Sequence, residues 1–194
     1  MYKTRKMKLL MLDNYDSFTF NLVQLIRENS DYRVDVRRND EISITEVDQY
    51  DKIMLSPGPG IPSEAGILCE LIDTYKSRKS IFGVCLGLQA IAEVFGARLF
   101  NLAEPLHGIS TPVSHTSSPL FEGIPGTFQA GRYHSWAVQN STVPDGLNIT
   151  AIDENDIIMA LEHTAFDVSG VQFHPESILT DHGKQIIINF LKNK

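Results

Sequence analysis

The stretch from Ser80 to Gly96, SIFGVCLGLQAIAEVFG, predicts a short strand, a sharp turn and a helix. Ile81 to Val84 is an apolar run of strand length, while Leu88, Ile91, Ala92 and Phe95 recur at helical spacing. Cys85 stands between Gly83 and Gly87, giving the Gly-x-Cys-x-Gly form of the elbow usually written around serine. Small neighbours let the central residue occupy a tight turn at the sheet edge and the start of a helix. Unpaired N–H groups and the positive end of the helix dipole there favour a thiolate over a thiol. Two readings fit: a nucleophile, or a free cysteine buried as a small hydrophobe. A base elsewhere in the chain has to decide between them.

The residues before this elbow repeat its alternation. Lys8 to Asp13 (KLLMLD) reads as a buried parallel strand. Ser17 to Glu28 reads as a helix with Phe18, Leu22, Leu25 and Ile26 on one face and Asp16 or Ser17 as its cap. Arg33 to Arg37 alternates as a second strand, and Ile44 to Tyr50 forms a helical turn. Lys52 to Ser56 is a third strand that runs into Pro57-Gly58-Pro59-Gly60. That loop could bring N–H groups close to a ligand, or it could be an ordinary turn. Ser63 to Lys76 predicts a helix with Ile67, Leu68, Leu71, Ile72 and Tyr75 facing inward. The expected fold is therefore α/β: an open, mostly parallel central sheet with helices on both faces and a flavodoxin-like core. Ligands bind such sheets beyond the carboxyl ends of their strands.

After Gly96 the pattern changes to short runs: Ala97 to Asn101, Gly108 to Val113, Thr127 to Ala130, Ser135 to Val138, Leu147 to Ile152, Ile157 to Leu161 and Val168 to Phe173. These predict antiparallel strands added to the parallel core, with a closing helix over Asp181 to Leu191. The 194 residues, 42% hydrophobic, suit a single domain spanning 1–194, with 1–7 a flexible extension.

A net charge of −7 argues against a nucleic-acid partner. The basic cluster Lys3 to Lys8 precedes an apolar run, Leu9 to Leu12, that is too short for a secretory signal, and no run approaches membrane-spanning length. Two cysteines, Cys69 and Cys85, make no disulfide framework, and cytoplasmic localisation is expected. His107, His134 and His163 lack metal-ligand spacing, while His115 and His182 read as solvated loop residues.

The base is expected in Val171-Gln172-Phe173-His174-Pro175-Glu176. In extended chain, residues two apart share a side, so Glu176 can fix the tautomer of His174 and support its charged form. Cys85, His174 and Glu176 then make a nucleophile, base and orienter.

The elbow with Gln89, Ser56-Pro57-Gly58-Pro59-Gly60, Arg132-Tyr133-His134-Ser135 and Phe173-His174-Pro175-Glu176-Ser177 together resemble the class I, triad-type glutamine amidotransferases. The opening Asp13-Asn14-Tyr15-Asp16-Ser17-Phe18 and the run His174 to Thr180 are similar to the subfamily feeding chorismate-converting synthases: anthranilate synthase component II and the aminodeoxychorismate synthase glutaminase. Leu88 departs from the histidine that many relatives carry there, which bears on local packing.

The resemblance implies glutamine hydrolysis through a Cys85 thioester, with His174 as base and Glu176 as its orienter. It implies an oxyanion hole from the N–H groups of Leu86 and Gly58, and glutamine held by Gly58, Pro59, Gly60, Gln89, Ser135 and Trp136. It implies L-glutamine as substrate and, as partner, a chorismate-binding synthase component, with Tyr15, Phe18 and Ile61 as apolar contact candidates. No cofactor is expected on this chain; magnesium, where the complex needs it, belongs with chorismate on the partner. Anthranilate is the favoured product, with aminodeoxychorismate or dual service the alternative. Two other readings stay open: a stand-alone γ-glutamyl hydrolase, and a flavodoxin-like phosphate-binding module with Cys85 buried. The second is weakened because the glycine loop continues Ile61-Pro62 rather than into a basic or hydroxyl residue.

Overall fold

The computed structural model describes residues 6–192. Residues 1–5 of the expected N-terminal extension, and half of the Lys3 to Lys8 cluster with them, lie outside that range. Met7 is already tied down: its carbonyl accepts the Arg33 N–H at 2.9 Å.

Among the described residues, nine strands form one sheet in the order β2-β1-β3-β4-β9-β8-β7-β5-β6. β1 (Lys8–Asp13), β2 (Arg33–Arg38), β3 (Lys52–Leu55), β4 (Ser80–Val84) and β9 (Val168–Val171) run parallel. β8 (Ile158–His163), β7 (Leu147–Asp153), β5 (Leu99–His115) and β6 (Thr127–Val138) continue the sheet antiparallel.

Both faces of the parallel part are covered, so the inner strands β1, β3 and β4 are apolar along most of their length, whereas the edge strand β2 alternates. Leu9, Met11, Met54 and Phe82 face one layer with Leu22 and Ile26 of α1 (Thr19–Asn29) and Ile186, Ile187 and Phe190 of α4 (Gly183–Lys192). Leu10, Leu12, Ile53, Leu55 and Ile81 face the other, with Leu68, Leu71 and Ile72 of α2 (Leu68–Tyr75) and Leu86, Ala90 and Ile91 of α3 (Leu86–Val94). Leu88 is fully buried against the antiparallel strands, with Ala92, Val138, Leu147, Ile158 and Leu161.

Four differences from the sequence reading have physical causes. The helix expected over Ser63 to Lys76 is a 3-10 turn at Pro62–Glu64 followed by α2, because Gly66 takes φ +53. A Cβ there would lie 2.5 Å from the Asn39 carbonyl oxygen, so the close approach requires glycine. Asp16 does hold the start of α1, its Oδ2 accepting the Phe18 N–H at 2.6 Å, but the helix itself begins at Thr19. The four runs between Ala97 and Val138 fuse into the long strands β5 and β6, whose pairing shifts register between Asn101/Leu106 and between His107/Ile109. His115 is not in a solvated loop: it ends β5 and its ring stacks on Phe121 at 4.5 Å, with its nitrogens 2.9 and 2.8 Å from the carbonyl oxygens of Thr116 and Pro125. Among the described residues, no helix is long and apolar enough to cross a membrane.

Candidate active site

The carboxyl ends of β1, β3, β4 and β9 converge on one small pocket. Cys85 follows β4 directly with φ 53 and ψ −102, a conformation rare for any side-chain-bearing residue. Its N–H donates to the Val171 carbonyl of β9 at 2.8 Å and its carbonyl accepts the Gln89 N–H of α3 at 3.1 Å. Strand pairing and helix thus hold the elbow from both sides. The flanking glycines are needed because a Cβ on Gly87 would lie 2.8 Å from the Leu55 Cβ and carbonyl oxygen, and one on Gly83 would strike Gly87.

β9 ends at Val171 and delivers His174 into the same place. The His174 N–H donates to the Gly131 carbonyl at 3.1 Å, and the Thr180 hydroxyl donates to the His174 carbonyl at 2.6 Å. Glu176 Oε1 lies 2.6 Å from His174 Nδ1, and both side chains are almost wholly buried. Nε2 is therefore left for the thiol. Burial alone would lower the imidazole, but hydrogen bonding to Cys85 and Glu176, with the charge of both, outweighs it and raises His174 to about 10. Phe18 and Tyr133 pack on the ring at 5.7 and 4.9 Å between centroids.

The loop after β3 closes a third side. Asn14 donates its backbone N–H to the Ser56 hydroxyl at 2.8 Å and its side-chain amide to the Ser56 carbonyl at 2.9 Å. This locks β1 to the start of the loop. Gly58 presses on Asn14 so closely that an added Cβ would sit 2.6 Å from the Asn14 carbonyl oxygen. As the first residue of α3, Leu86 has an N–H with no partner inside the helix.

The pocket bounded by these elements, about 160 Å³, is lined by Gly58, Pro59, Gly60, Cys85, Gln89, Tyr133, His134, Ser135 and Trp136. It contains all six residues expected to hold glutamine. A larger cavity of about 630 Å³ lies at the opposite ends of the strands, beside Lys52, Arg78 and Ser80. Cys85 lines the smaller pocket and not that cavity, so the smaller pocket is the candidate site.

The chain matches the glutamine amidotransferase class-I family over residues 10–194. It belongs to that family. The amidotransferase is 44% identical over 186 residues to aminodeoxychorismate/anthranilate synthase component 2 of Bacillus subtilis, covering 95% of each chain. It is 45% identical to aminodeoxychorismate synthase component 2 of Klebsiella aerogenes, over 94% of this chain and 98% of that one. It is 44% identical to anthranilate synthase component 2 of Pyropia yezoensis, over 95% and 98%. Among solved structures, a Thermoplasma acidophilum protein described as a GMP synthase subunit superposes on it with a TM-score of 0.87, at 28% identity over 97% of this chain and 94% of that one.

Sequence reasoning did not single out several residues that the structure places at the candidate site. Tyr133 and His134 line the pocket, Asn14 braces Gly58, and Gln172 places its amide 3.5 Å from Cys85 Sγ. Arg132, wholly buried, donates to Asp153 at 2.7 Å and to His134 Nε2 at 2.9 Å. Gln172 lies two residues before His174, and the spacing of two that singled out Glu176 could have singled it out as well. Of the apolar contact candidates, Tyr15 is exposed, with its hydroxyl 2.8 Å from Asp40, whereas Phe18 and Ile61 are half-buried.

Proposed function

We propose that this chain is the glutaminase component of a two-component, chorismate-converting synthase, with anthranilate as its product. The observation that carries the reading is that Cys85 lines one pocket with the Gly58–Gly60 loop while the buried His174–Glu176 pair stands behind it, close enough for Cys85 to act on the imidazole.

Glutamine enters with its side-chain amide against Cys85, its remainder held by Gly58, Pro59, Gly60, Gln89, Ser135 and Trp136. With its pKa raised, His174 holds the thiol proton on Nε2 before the substrate reacts, and the thiolate sulfur attacks the amide carbon. Glu176 keeps the ring oriented and supports its positive charge. The negative oxygen of the tetrahedral intermediate is received by the N–H groups of Leu86 and Gly58; loss of one such donor costs about 3 kcal/mol of barrier. His174 returns its proton to the departing nitrogen, releasing ammonia and leaving a γ-glutamyl thioester. Water activated by the same imidazole then frees glutamate and the thiol. The exposed carboxyl-end face, with Tyr15 at its rim, is the surface offered to the synthase component.

The test mixes the chain with each chorismate-binding component from its own organism and follows anthranilate by fluorescence and aminodeoxychorismate by chromatography. Glutamine-dependent anthranilate is expected. Cys85→Ala should abolish it while added ammonium salts still support synthesis. Aminodeoxychorismate alone would reassign the product, as the similarity to the Klebsiella aerogenes protein allows. Absence of glutamate release with either component would overturn the glutaminase assignment.

A further inference from the structure

We infer that Gln172 is a further catalytic residue: its side-chain N–H supports the sulfur of Cys85, and a buried relay running back to Asp153 fixes which end of its amide faces that sulfur. The inference rests on Cys85 being the nucleophile.

The direction of the relay follows from groups whose chemistry allows one role. Arg132 can only donate. Its Nη1 donates to Asp153 Oδ2 at 2.7 Å and to Thr111 Oγ1 at 3.1 Å, and its Nε to His134 Nε2 at 2.9 Å. His134 Nε2 must therefore be bare, so Nδ1 carries the hydrogen and donates to the Trp136 carbonyl at 2.8 Å. That carbonyl can only accept, and it also takes a hydrogen from Gln89 Nε2 at 2.9 Å. The second N–H of Gln89 lies 3.2 Å from Gln172 Oε1. With its oxygen committed, Gln172 meets Cys85 Sγ through Nε2 at 3.5 Å, within hydrogen-bonding range for the larger sulfur atom. Reversing either amide would bring two acceptors together at one of these contacts.

The donor is also held rigidly. Gln172 is fully buried, and its backbone N–H donates to the Met159 carbonyl at 2.8 Å. The preceding residue, Val171, accepts the N–H of Cys85 itself. Sulfur and amide are thus fixed to adjacent strands, and no water need reorganise when negative charge gathers on Sγ. The charged or titratable groups around the sulfur are His174, with Glu176 behind it and Asp16 acting from the β1–α1 connection, and, behind Gln172, His134, Arg132 and Asp153. Gln172 is the neutral donor among them, so its contribution does not depend on the proton that His174 carries.

A buried glutamine that merely fills space would leave the ionisation of Cys85 untouched. The full chain, without partner or glutamine, is treated with iodoacetamide across a range of pH, and modification of the Cys85 peptide is timed by mass spectrometry, separately from Cys69. Gln172→Leu should slow alkylation about tenfold near neutrality and raise the pH of half-maximal rate by about one unit. Gln172→Glu, which keeps the shape but turns a carboxylate toward the sulfur, should move it further. A folded Gln172→Leu chain with a profile superimposable on the parent overturns the inference; if that variant does not fold, an unmoved profile for Gln172→Glu overturns it equally. Because the readout needs no glutamine turnover, failure of the glutaminase assignment would show separately, as a parent chain that alkylates normally yet releases no glutamate with any partner.

Discussion

Acid should unfold this protein partly through His134. Burial, reinforced by the neighbouring Arg132 charge, lowers its imidazole from 6.5 to about 4. A proton on Nε2 would also confront the Arg132 N–H already aimed there. Since the folded value lies below the unfolded one, the unfolded chain takes up this proton first as pH falls. The stabilisation is complete above about pH 6.5 and disappears toward about pH 4. Linkage between the two values gives a loss of about 1.4 kcal/mol by about pH 5.5 and about 2.5 kcal/mol by about pH 4.5. Carboxylates titrate in the same range, so the parent must be compared with His134→Gln, whose amide can accept from Arg132 and donate to Trp136 without titrating. Urea unfolding of both chains at stepped pH should show the parent losing those amounts relative to the variant. Parallel curves would refute the assignment of a buried, neutral imidazole.

His174→Ala should abolish formation of the glutamyl thioester, whereas Glu176→Gln should slow it by about 10²- to 10⁴-fold, both read by trapping with labelled glutamine. The raised value of His174 has the opposite pH consequence to that of His134: its stabilisation is present below about pH 6.5 and lost as pH climbs toward about 10, and Glu176→Gln should flatten that alkaline limb of the urea curves. Leu88→Ala, which empties a fully buried site behind α3, should cost about 3 kcal/mol of stability while thioester still forms. Gly83→Ala should cost about 3 kcal/mol or more, because its methyl has only the backbone of Gly87 to enter; urea midpoints measure both substitutions.

The parallel half of the fold was legible because each element carries its own periodicity: KLLMLD, KIML and SIFGV are strands wherever they are placed in a doubly covered sheet. His174 and Glu176 were legible as a pair from their spacing of two, but the extended chain expected there is a turn, closed by the Ser177 N–H on the His174 carbonyl at 3.1 Å, and it is the turn that brings them together. The break at Gly66 was not legible, since its cause is Asn39, contributed by another connection. Nor was the continuity of β5, which runs through Pro105 and Pro112. It pairs with β7 only over Val113–His115, so most of its length has a ladder on one side alone, where proline is tolerated. Arg132 and Asp153 read as ordinary polar residues of two separate runs, and only the pairing of β5 with both β6 and β7 reveals them as a buried ion pair.

The place of β9 in the sheet sets the order in which the protein can become active as it is synthesised. It is an interior strand, between β4 and β8, yet it is the last in sequence among the strands of the described residues. Until it arrives, β4 presents an unpaired edge, the kind of surface on which nascent chains stick to one another. The nucleophile waits as well, for its own N–H is held by Val171, and Cys85 and Gln172 stand 87 positions apart in the chain. A ribosome-bound chain that stops short of β9 therefore carries Cys85 without its elbow brace and without His174, the base proposed for it. On the mechanism proposed above, thioester chemistry has to wait until Val168–Val171 take their place in the middle of the sheet.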